Sequence, residues 1–375
     1  MVDFFRYNTK NAKALLKNLY FNPSMTRGKL SRVQNCTPAM ISIISGKMLA
    51  DNIIKEAPHI ETVVKTGPKE KALVFNGDFA LFLGIYVGKK RVSVGVANAR
   101  NKPITHVSAM FDETDKKGKL EFVEKSGNEL IRKFGKSKFF AVGIGAIGVK
   151  DSQNPVSDCF GEAINLKEHF EKLFTLPVAA DNNVRALASA EYVLGDKRQD
   201  DRFILVKYGP GLGSAMAPTP INASDDVFLG EIGHMPTESG NRKCSCGKTG
   251  CLEAEVCEER ILEAYNAISG NALCDVTYVY ELADKGDKAA KEAVKLLVDK
   301  LALTISQLFL IFKNVKVVLI GKAFTFPKIK ESLVKKTEEF LCSEDVSSRL
   351  LFSTQSHEER FLGGSAVAIW NLLLN

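Results

Sequence analysis

Four side chains suited to metal binding stand close together late in the chain: His234, Cys244, Cys246 and Cys251. One imidazole and three thiols are enough to close a tetrahedral Zn²⁺ site. Gly247 and Gly250 let the backbone between them turn closely around an ion. Because protein would fill all four coordination positions, we expect the ion to be structural rather than catalytic. The cluster predicts a zinc loop near residues 230–255.

The sequence argues against a membrane or exported protein. The longest apolar run, Leu301–Phe312, is interrupted by polar residues and is shorter than the roughly 18 residues that a membrane helix needs. The first residues, Met1–Arg6, do not form a basic segment followed by an apolar one, which is the pattern of a signal peptide. We therefore expect a cytoplasmic protein with no membrane insertion, in which clustered cysteines bind metal before they form disulfides.

The positive charge of the chain lies in its first fifth. Residues 1–75 hold 12 Lys and Arg against 5 Asp and Glu, which accounts for the whole formal net charge of +7. Residues 76–375 carry equal numbers of basic and acidic side chains. A small basic segment on a neutral body indicates a polyanionic partner for that segment alone. A solvated basic face without a partner is the alternative that charge leaves open.

The basic segment has the pattern of three helices. Lys10–Phe21 is predicted to be a helix because apolar residues recur at spacings of three and four, and a shorter helix is predicted over about 27–33. Asn35 makes the turn that follows, since asparagine tolerates the left-handed conformation. Thr37 and Pro38 then open a third helix, as its cap and its first residue.

The third helix is predicted to run to about Asp51 with one buried face. Its buried residues are expected to be Met40, Ile41, Ile44 and Met48. Short β-rich runs follow, with a gap at Gly67-Pro68, and look like the strands of a small wing: Ile53-Ile54, Glu61–Val64 and Ala72–Phe75. This order of elements predicts an N-terminal winged helix-turn-helix domain at residues 1–75.

In such a domain the third helix lies in the major groove of DNA, and side chains near its N-terminus reach base edges. The residues expected to face bases are Thr37, Ala39, Met40 and Ser42. The residues expected to meet phosphates are Arg27, Lys29, Arg32 and Lys47. A helical hairpin used for protein contact has the same periodicity. The localised charge favours double-stranded operator DNA as the partner.

From about residue 76 the pattern changes to strands that alternate with helices. Phe139–Ile144 is an apolar strand that enters the glycine-rich turn Gly145–Gly148. Phe203–Val206 is another, and Gly209–Gly213 follows it. Strands that end in glycine-rich turns in both halves of the segment indicate an α/β body with two lobes around a cleft.

The zinc loop carries a specific family resemblance. The run Gly230-Glu-Ile-Gly-His-Met-Pro236, with the cysteines after it and the ending Gly250-Cys-Leu-Glu253, resembles the signature of the ROK family of repressors, open reading frames and sugar kinases. The similarity covers about 80–375, and the N-terminal helices resemble the repressor branch, whose members include regulators of the xylose and N-acetylglucosamine type. The resemblance implies that 76–375 is a two-lobed, actin-like body similar to sugar kinases, with the ligand in the cleft.

The resemblance also assigns roles residue by residue. His234 and the three clustered cysteines fall on zinc ligands. Glu231, His234 and Glu253 fall on positions that hold sugar hydroxyls. Asn182 falls on the asparagine of the family's Asn-Asp pair, and Asn183 stands beside it. Carboxylates accept strongly from hydroxyl groups, so two of them with an amide suit a polyol. The alternative for Glu231 and Glu253 is support of the zinc loop.

Three positions depart from the family's kinases. The kinases need an aspartate base after the asparagine; Asn183 stands there instead, so the usual contribution of about 10²–10⁴-fold from such a base is lost. Asp181 is out of register and is expected to point elsewhere. The first phosphate loop, Asp-x-Gly-Gly-Thr in the kinases, reads Tyr86-Val-Gly-Lys-Lys90, and the second has Pro210, which lacks an N–H for a phosphate. These changes predict a body that binds without phosphorylating.

We therefore expect a sugar-responsive transcriptional regulator, a repressor in function, that binds operator DNA and a sugar or sugar-phosphate effector and is not an enzyme. One helix-turn-helix reads too few base pairs for specificity, so a homodimer or homotetramer is expected. Two alternatives stay open: a divergent ROK sugar kinase with a DNA-binding arm, and a regulator controlled by a protein partner through an inert body.

Overall fold

The computed structural model describes residues 7, 9–57, 71–194, 202–217, 229–238, 240–342, 345–355 and 358–375. The chain divides into two compact units. The first comprises Met1–Ala186, Val193–Gln199 and Glu359–Asn375, and the second comprises Leu187–Tyr192 and Asp200–Glu358. Within the described residues, no helix is long and apolar enough to cross a membrane.

The first unit begins with three helices and a small sheet: α1 (Lys10–Phe21), β1 (Met25–Thr26), α2 (Arg27–Gln34), α3 (Pro38–Ala50), β2 (Ile54–Ala57) and β3 (Ala72–Phe75). The sheet is antiparallel in the order β1-β3-β2. Each helix starts at a threonine, Thr9, Thr26 or Thr37, whose side chain accepts an N–H bond from the first turn. The sequence predicts these three helices and β3 closely but misses β1. The predicted strand at Glu61–Val64 and the gap at Gly67-Pro68 lie outside the described residues.

The predicted buried face of α3 is wrong at one position. Ile41 and Met48 are fully buried and Ile44 is half-buried, as expected, whereas Met40 is 39% exposed. Ser45 takes the buried position one turn after Ile41. Because successive helical residues are about 100° apart, a face that centres on Ile41 turns Met40 sideways toward solvent.

A five-stranded sheet forms the centre of the first unit. The elements of this part of the chain are β4 (Leu81–Val87), β5 (Arg91–Asn98), β6 (Pro103–Met110), α4 (Lys116–Phe134), β7 (Phe139–Ala146), β8 (Val156–Ser157), β9 (Ile164–Asn165), α5 (Leu166–Phe174), β10 (Val178–Asn182) and α6 (Asn183–Leu194). The middle of α6, Leu187–Tyr192, belongs to the second unit. The strand order is β10-β7-β4-β5-β6, with β4, β7 and β10 parallel and β4, β5 and β6 antiparallel, while β8 and β9 pair separately. Parallel pairing places Tyr86, Gly145 and Asp181 side by side where these strands end.

The second unit repeats this topology. Its elements are β11 (Phe203–Lys207), β12 (Gly213–Ala217), β13 (Leu229–Gly230), α7 (Leu252–Val256), α8 (Glu258–Ser269), α9 (Val276–Lys285), α10 (Lys288–Ile311), β14 (Lys316–Ile320), α11 (Pro327–Leu341) and β15 (Leu350–Phe352). The strand order is β13-β12-β11-β14-β15. As with β4 in the first unit, β11 has antiparallel strands on one side and parallel strands on the other. Apolar faces of α8–α11 pack with this sheet into one core.

The chain returns to the first unit in α12 (Phe361–Ala368). This helix lies directly on the sheet, since a Cβ at Gly143 would stand 1.9 Å from the carbonyl oxygen of Gly364. Only glycine permits so close an approach of two backbones. At the start of α12 the guanidinium of Arg360 lies 5.7 Å from the ring centre of Tyr86. The helix thus begins at the carboxyl ends of the parallel strands.

The far end of this element meets α1. A π-helical turn, Ile369–Leu374, continues α12. Lys17 Nζ lies 4.4 Å from the centre of the Trp370 ring, and Lys13 Nζ donates to the carbonyl oxygen of Asn375. One continuous element therefore connects the edge of the first sheet with the N-terminal helices.

Candidate metal centre and ligand site

The four predicted metal ligands come together in the second unit. Their ligand atoms all lie within 4.8 Å of one another: His234, Cys244, Cys246 and Cys251. His234 Nδ1 is 3.5 Å from Cys244 Sγ, and Cys246 Sγ is 3.6 Å from Cys251 Sγ. A tetrahedron with Zn–S near 2.3 Å and Zn–N near 2.1 Å has edges of about 3.6–3.8 Å, whereas a disulfide would need about 2.05 Å. The donor set and its spacing fit a Zn²⁺ ion.

Backbone geometry holds this loop in shape. Gly247 and Gly250 have positive φ angles of 88° and 78°, which other residues rarely adopt. A Cβ at Gly250 would also stand 2.6 Å from the carbonyl oxygen of Gly240. The N–H of Cys244 donates to the carbonyl of Lys248 across the turn at 2.8 Å. The ligand-bearing turn is thus closed by the chain itself.

Glu255 is a supporting residue that the sequence does not predict. Its carboxylate, on α7, accepts the backbone N–H groups of Asn241 and Arg242 at 2.9 and 3.0 Å. The side chain is buried, so the two bonds stabilise the start of the cysteine turn strongly. Its position two residues after Glu253, on a helix whose N-cap is Cys251, is the only sequence signal for it.

The clustered thiols have shifted pKa values. Burial, with help from the neighbouring thiols, raises the pKa of the Cys251 thiol to about 12. A backbone hydrogen bond from Lys248 lowers the pKa of Cys246. As a zinc ligand, the Cys251 thiol would have to lose its proton, because a coordinating thiol is deprotonated outright. Metal binding by this group would therefore be coupled to proton release.

His234 is placed to act on two sides. Its Nδ1 faces the thiols, and its Nε2 lies 3.8 Å from Glu231 Oε2. The Glu231 side chain is 73% exposed and the His234 side chain 30%. A metal bound through Nδ1 would leave the Nε2–H beside an exposed carboxylate, a pair of groups suited to a hydroxyl ligand.

Glu253 is half-buried, and one of its carboxylate oxygens accepts a hydrogen bond within the protein. Its Oε2 accepts the backbone N–H of Leu212 at 2.7 Å, in the glycine-rich turn after β11. Gly233 packs against the same turn, because a Cβ there would stand 2.2 Å from the carbonyl oxygen of Leu212. Glu253 thus fixes the position of that turn relative to the metal loop, whatever it contacts with its other oxygen.

The remaining predicted ligand residues lie in the first unit, where β10 meets α6. Asn182 Oδ1 accepts the N–H of Val184 at 2.8 Å and so caps α6. Its Nδ2 donates to the carbonyl of Val149 at 3.3 Å. Asp181 Oδ1 accepts from the Arg185 guanidinium, so this carboxylate is paired within the protein.

Two of the positions that differ from the kinases contact each other. Asn183 Nδ2 donates to the hydroxyl of Tyr86 at 3.2 Å, and both side chains are buried, at 6% and 2% exposure. The register of β4, β7 and β10 brings them together although they are far apart in sequence. At the position where the family resemblance implies an aspartate in the kinases, this chain has an amide bonded to a phenol.

The residues predicted to face DNA bases all lie on the exposed side of α3 or at its cap: Thr37, Ala39, Met40 and Ser42. Lys29, Arg32 and Lys47 are exposed as well. Arg27 differs, because its guanidinium lies 3.4 Å from Glu56 Oε1 and donates to Ser45 Oγ at 3.1 Å. Its charge is already partly neutralised within the protein.

Sequence reasoning misses Ile43, which is 61% exposed in the middle of the outward face of α3. It follows Ala39 by four residues and therefore stands directly above it on the helix. The sequence spacing could have predicted this exposure, since Ile43 is two positions from the buried Ile41 and therefore cannot lie on the same face of the helix.

The sequence model of the ROK family matches residues 82–370. The chain belongs to the ROK family. The xylose repressor of Caldicellulosiruptor bescii is 23% identical to this ROK protein in an alignment of 340 positions that covers 84% of each chain.

Solved structures share the fold of this ROK protein. A ROK family transcriptional regulator, described as a homologue of the E. coli MLC protein, aligns over 96% of both chains with a TM-score of 0.77 and 19% identity. A ROK family glucokinase from Streptomyces griseus, solved with glucose and AMPPNP, aligns over 76% of this chain and 98% of its own, with a TM-score of 0.63 and 18% identity. The predicted sugar-kinase-type, actin-like body is confirmed. The regulator matches this chain nearly end to end, whereas about a quarter of the chain has no counterpart in the glucokinase.

Proposed function

We propose that this ROK protein is a sugar-responsive transcriptional repressor that binds a sugar or sugar phosphate without phosphorylating it. The observation that carries the proposal is the hydrogen bond from Asn183 Nδ2 to Tyr86 Oη. An amide has no useful basicity, so it cannot take the proton from an attacking sugar hydroxyl. The similarity to a protein named xylose repressor, over 84% of both chains, supports the same reading.

In this proposal the N-terminal helices and sheet form a winged helix-turn-helix domain that binds operator DNA. α3 is the reading helix, since its outward face is exposed, and the cations of Lys29 and Arg32 on α2 and Lys47 on α3 are exposed as well. Arg27 contributes less, because Glu56 already balances its charge. A symmetric operator would pair with a homodimer or homotetramer, with half-sites about one helical turn or a multiple apart.

The effector site is proposed to use five side chains: Asn182, Asn183, Glu231, His234 and Glu253. Glu231 supports this best, because its carboxylate is exposed and stands beside His234 Nε2. Carboxylates accept strongly from hydroxyl groups, which a sugar presents on neighbouring carbons. The zinc ion would have a structural role there, holding His234 through Nδ1 so that Nε2 keeps a fixed direction.

The path from effector to DNA is proposed to run through α12. α12 starts beside Tyr86. The π-helical turn that continues it packs against α1, where Lys17 Nζ lies over the Trp370 ring. A ligand that prefers one position of this rigid element would shift the N-terminal helices with it. Trp370 is the single tryptophan of the chain, so a sugar-induced change in its emission measures the movement.

The divergent sugar kinase is the second candidate, because a ROK glucokinase shares the fold. We expect no sugar-dependent ADP release above background from the wild-type protein, over a panel of pentoses and hexoses with Mg-ATP. Asn183→Asp alone should not create activity, because Tyr86 and Pro210 still occupy the two phosphate loops. Wild-type turnover of about one per second or faster, an ordinary rate for such enzymes, would establish the kinase instead.

A further inference from the structure

The centre of the outward face of α3 consists of small and apolar residues. Ala39, Ile43 and Gly46 follow one another at i, i+4 and i+7, which places them within about 60° of each other around the helix. All three are exposed, and Ile43 is 61% exposed. None of them offers a side-chain hydrogen bond, so this strip cannot read the donors and acceptors of base edges.

The protein's own core does not account for the strip. The opposite face of α3 already carries the buried side chains of Ile41, Ser45 and Met48. A single exposed isoleucine would need no explanation on its own. A second observation, at Gly46, points to something outside the chain.

Gly46 stands inside a helix, where glycine is less stable than alanine. A Cβ added there would meet no atom within 4 Å, so internal packing does not require glycine. Its φ angle is not among the positive ones, so backbone conformation does not require it either. A glycine that neither packing nor backbone conformation requires leaves room for another surface to approach closely.

We propose that this strip reads thymine: Ala39 and Ile43 contact the 5-methyl groups of thymines in the major groove, and Gly46 lets the helix approach them closely. The thymine methyl is the one apolar group on the major-groove edges of the bases, and small apolar side chains are its usual partners. Lys47 on the same helix, and Lys29 and Arg32 on α2, are exposed cations that can contact the DNA phosphates. The proposal rests on the DNA-binding function and names the base that this function selects.

The test removes the methyl group and nothing else. Duplexes of about three helical turns are enriched from a random pool on the full chain and resynthesised with deoxyuridine at one thymine at a time. We expect affinity to fall about fourfold at each contacted thymine, the value for one buried methyl group. Ile43→Ala should remove this thymine-over-uracil preference at one position or its symmetry mate. Val33→Ala, which shortens another exposed apolar side chain on α2, should keep it.

Gly46→Ala gives a second test, in which stability and DNA affinity are expected to change in opposite directions. Its melting temperature should stay the same or rise, because alanine favours the helix. Its affinity for the enriched duplex should fall about fivefold or more, because the added methyl group overfills a close contact. A merely structural role for Gly46 would move stability and affinity in the same direction.

The possible failures are distinguishable. Enriched duplexes that tolerate uracil at every thymine would overturn the thymine proposal and leave DNA binding intact. A preference that survives Ile43→Ala would also overturn it, since another residue would then read the methyl group. A pool with no enriched duplex would refute DNA binding itself, and this strip would then belong to a protein contact.

Discussion

Replacing Lys47 by glutamate should weaken operator binding about 100-fold at about 50 mM salt. Lys47 is exposed on the side of α3 that turns away from the core, next to Gly46. The change removes one phosphate partner and adds a repelled charge, which should reduce the slope of log affinity against log salt by about one to two. Fluorescence anisotropy of a labelled duplex over a salt series measures both quantities.

Lys117→Glu is the matched control, because it makes the same change of charge on α4, where the Lys117 side chain is 88% exposed. It should leave operator affinity unchanged. If both variants lose affinity to the same degree, the net charge of the protein drives binding and α3 has no special part in it. If neither loses affinity, α3 does not face DNA.

Cys246→Ser should release zinc and lower the free energy of unfolding by about 3 kcal/mol or more, because a ligand loop without its ion loses metal-coupled folding energy. For a protein of 375 residues, with an unfolding entropy of about 2.1 cal/mol/K per residue, that corresponds to a fall in Tm of about 4 °C. Elemental analysis should find about one zinc per wild-type chain and a substoichiometric amount in the variant. Thermal unfolding of both proteins, in the same buffer, gives the stability change.

Cys274→Ser is the control for this experiment, since Cys274 is exposed and lies outside the metal-ligand group. Its zinc content and Tm should match those of the wild type. A well-folded wild-type preparation without metal, or a Cys246→Ser protein with unchanged Tm, would contradict the zinc site.

Local features of the fold could be predicted well from the sequence. α1 has the predicted bounds, Lys10–Phe21, because its apolar spacing is regular and Thr9 caps it. The four predicted metal ligands come together because their spacing in sequence is short and two glycines permit the turns. In both cases neighbouring residues alone determine the structure.

The orientation of α3 could not be predicted as well. Nearly every residue from Ala39 to Ile44 is apolar, so the pattern does not show which side is buried. Contacts with α1 and α2 decide it, and they leave Met40 and Ile43 exposed. Contacts between residues far apart in sequence could not be predicted either. Tyr86 contacts Asn183 only because of the register of three parallel strands. Lys17 contacts Trp370 only because α12 crosses the sheet and leads to α1.

Sugar-dependent operator affinity tests the central claim most directly. The measurement is the Kd of the full chain for its enriched duplex, with and without saturating sugar or sugar phosphate, for the wild type and for Glu231→Gln. We predict that the effector shifts the wild-type Kd about tenfold, within the usual 1–3 kcal/mol of allosteric coupling. Glu231→Gln should bind DNA equally well without effector, yet need about five- to thirtyfold more of it, because a neutral bond replaces a charge-assisted one. A wild-type Kd that no sugar or sugar phosphate changes would contradict a sugar-responsive repressor.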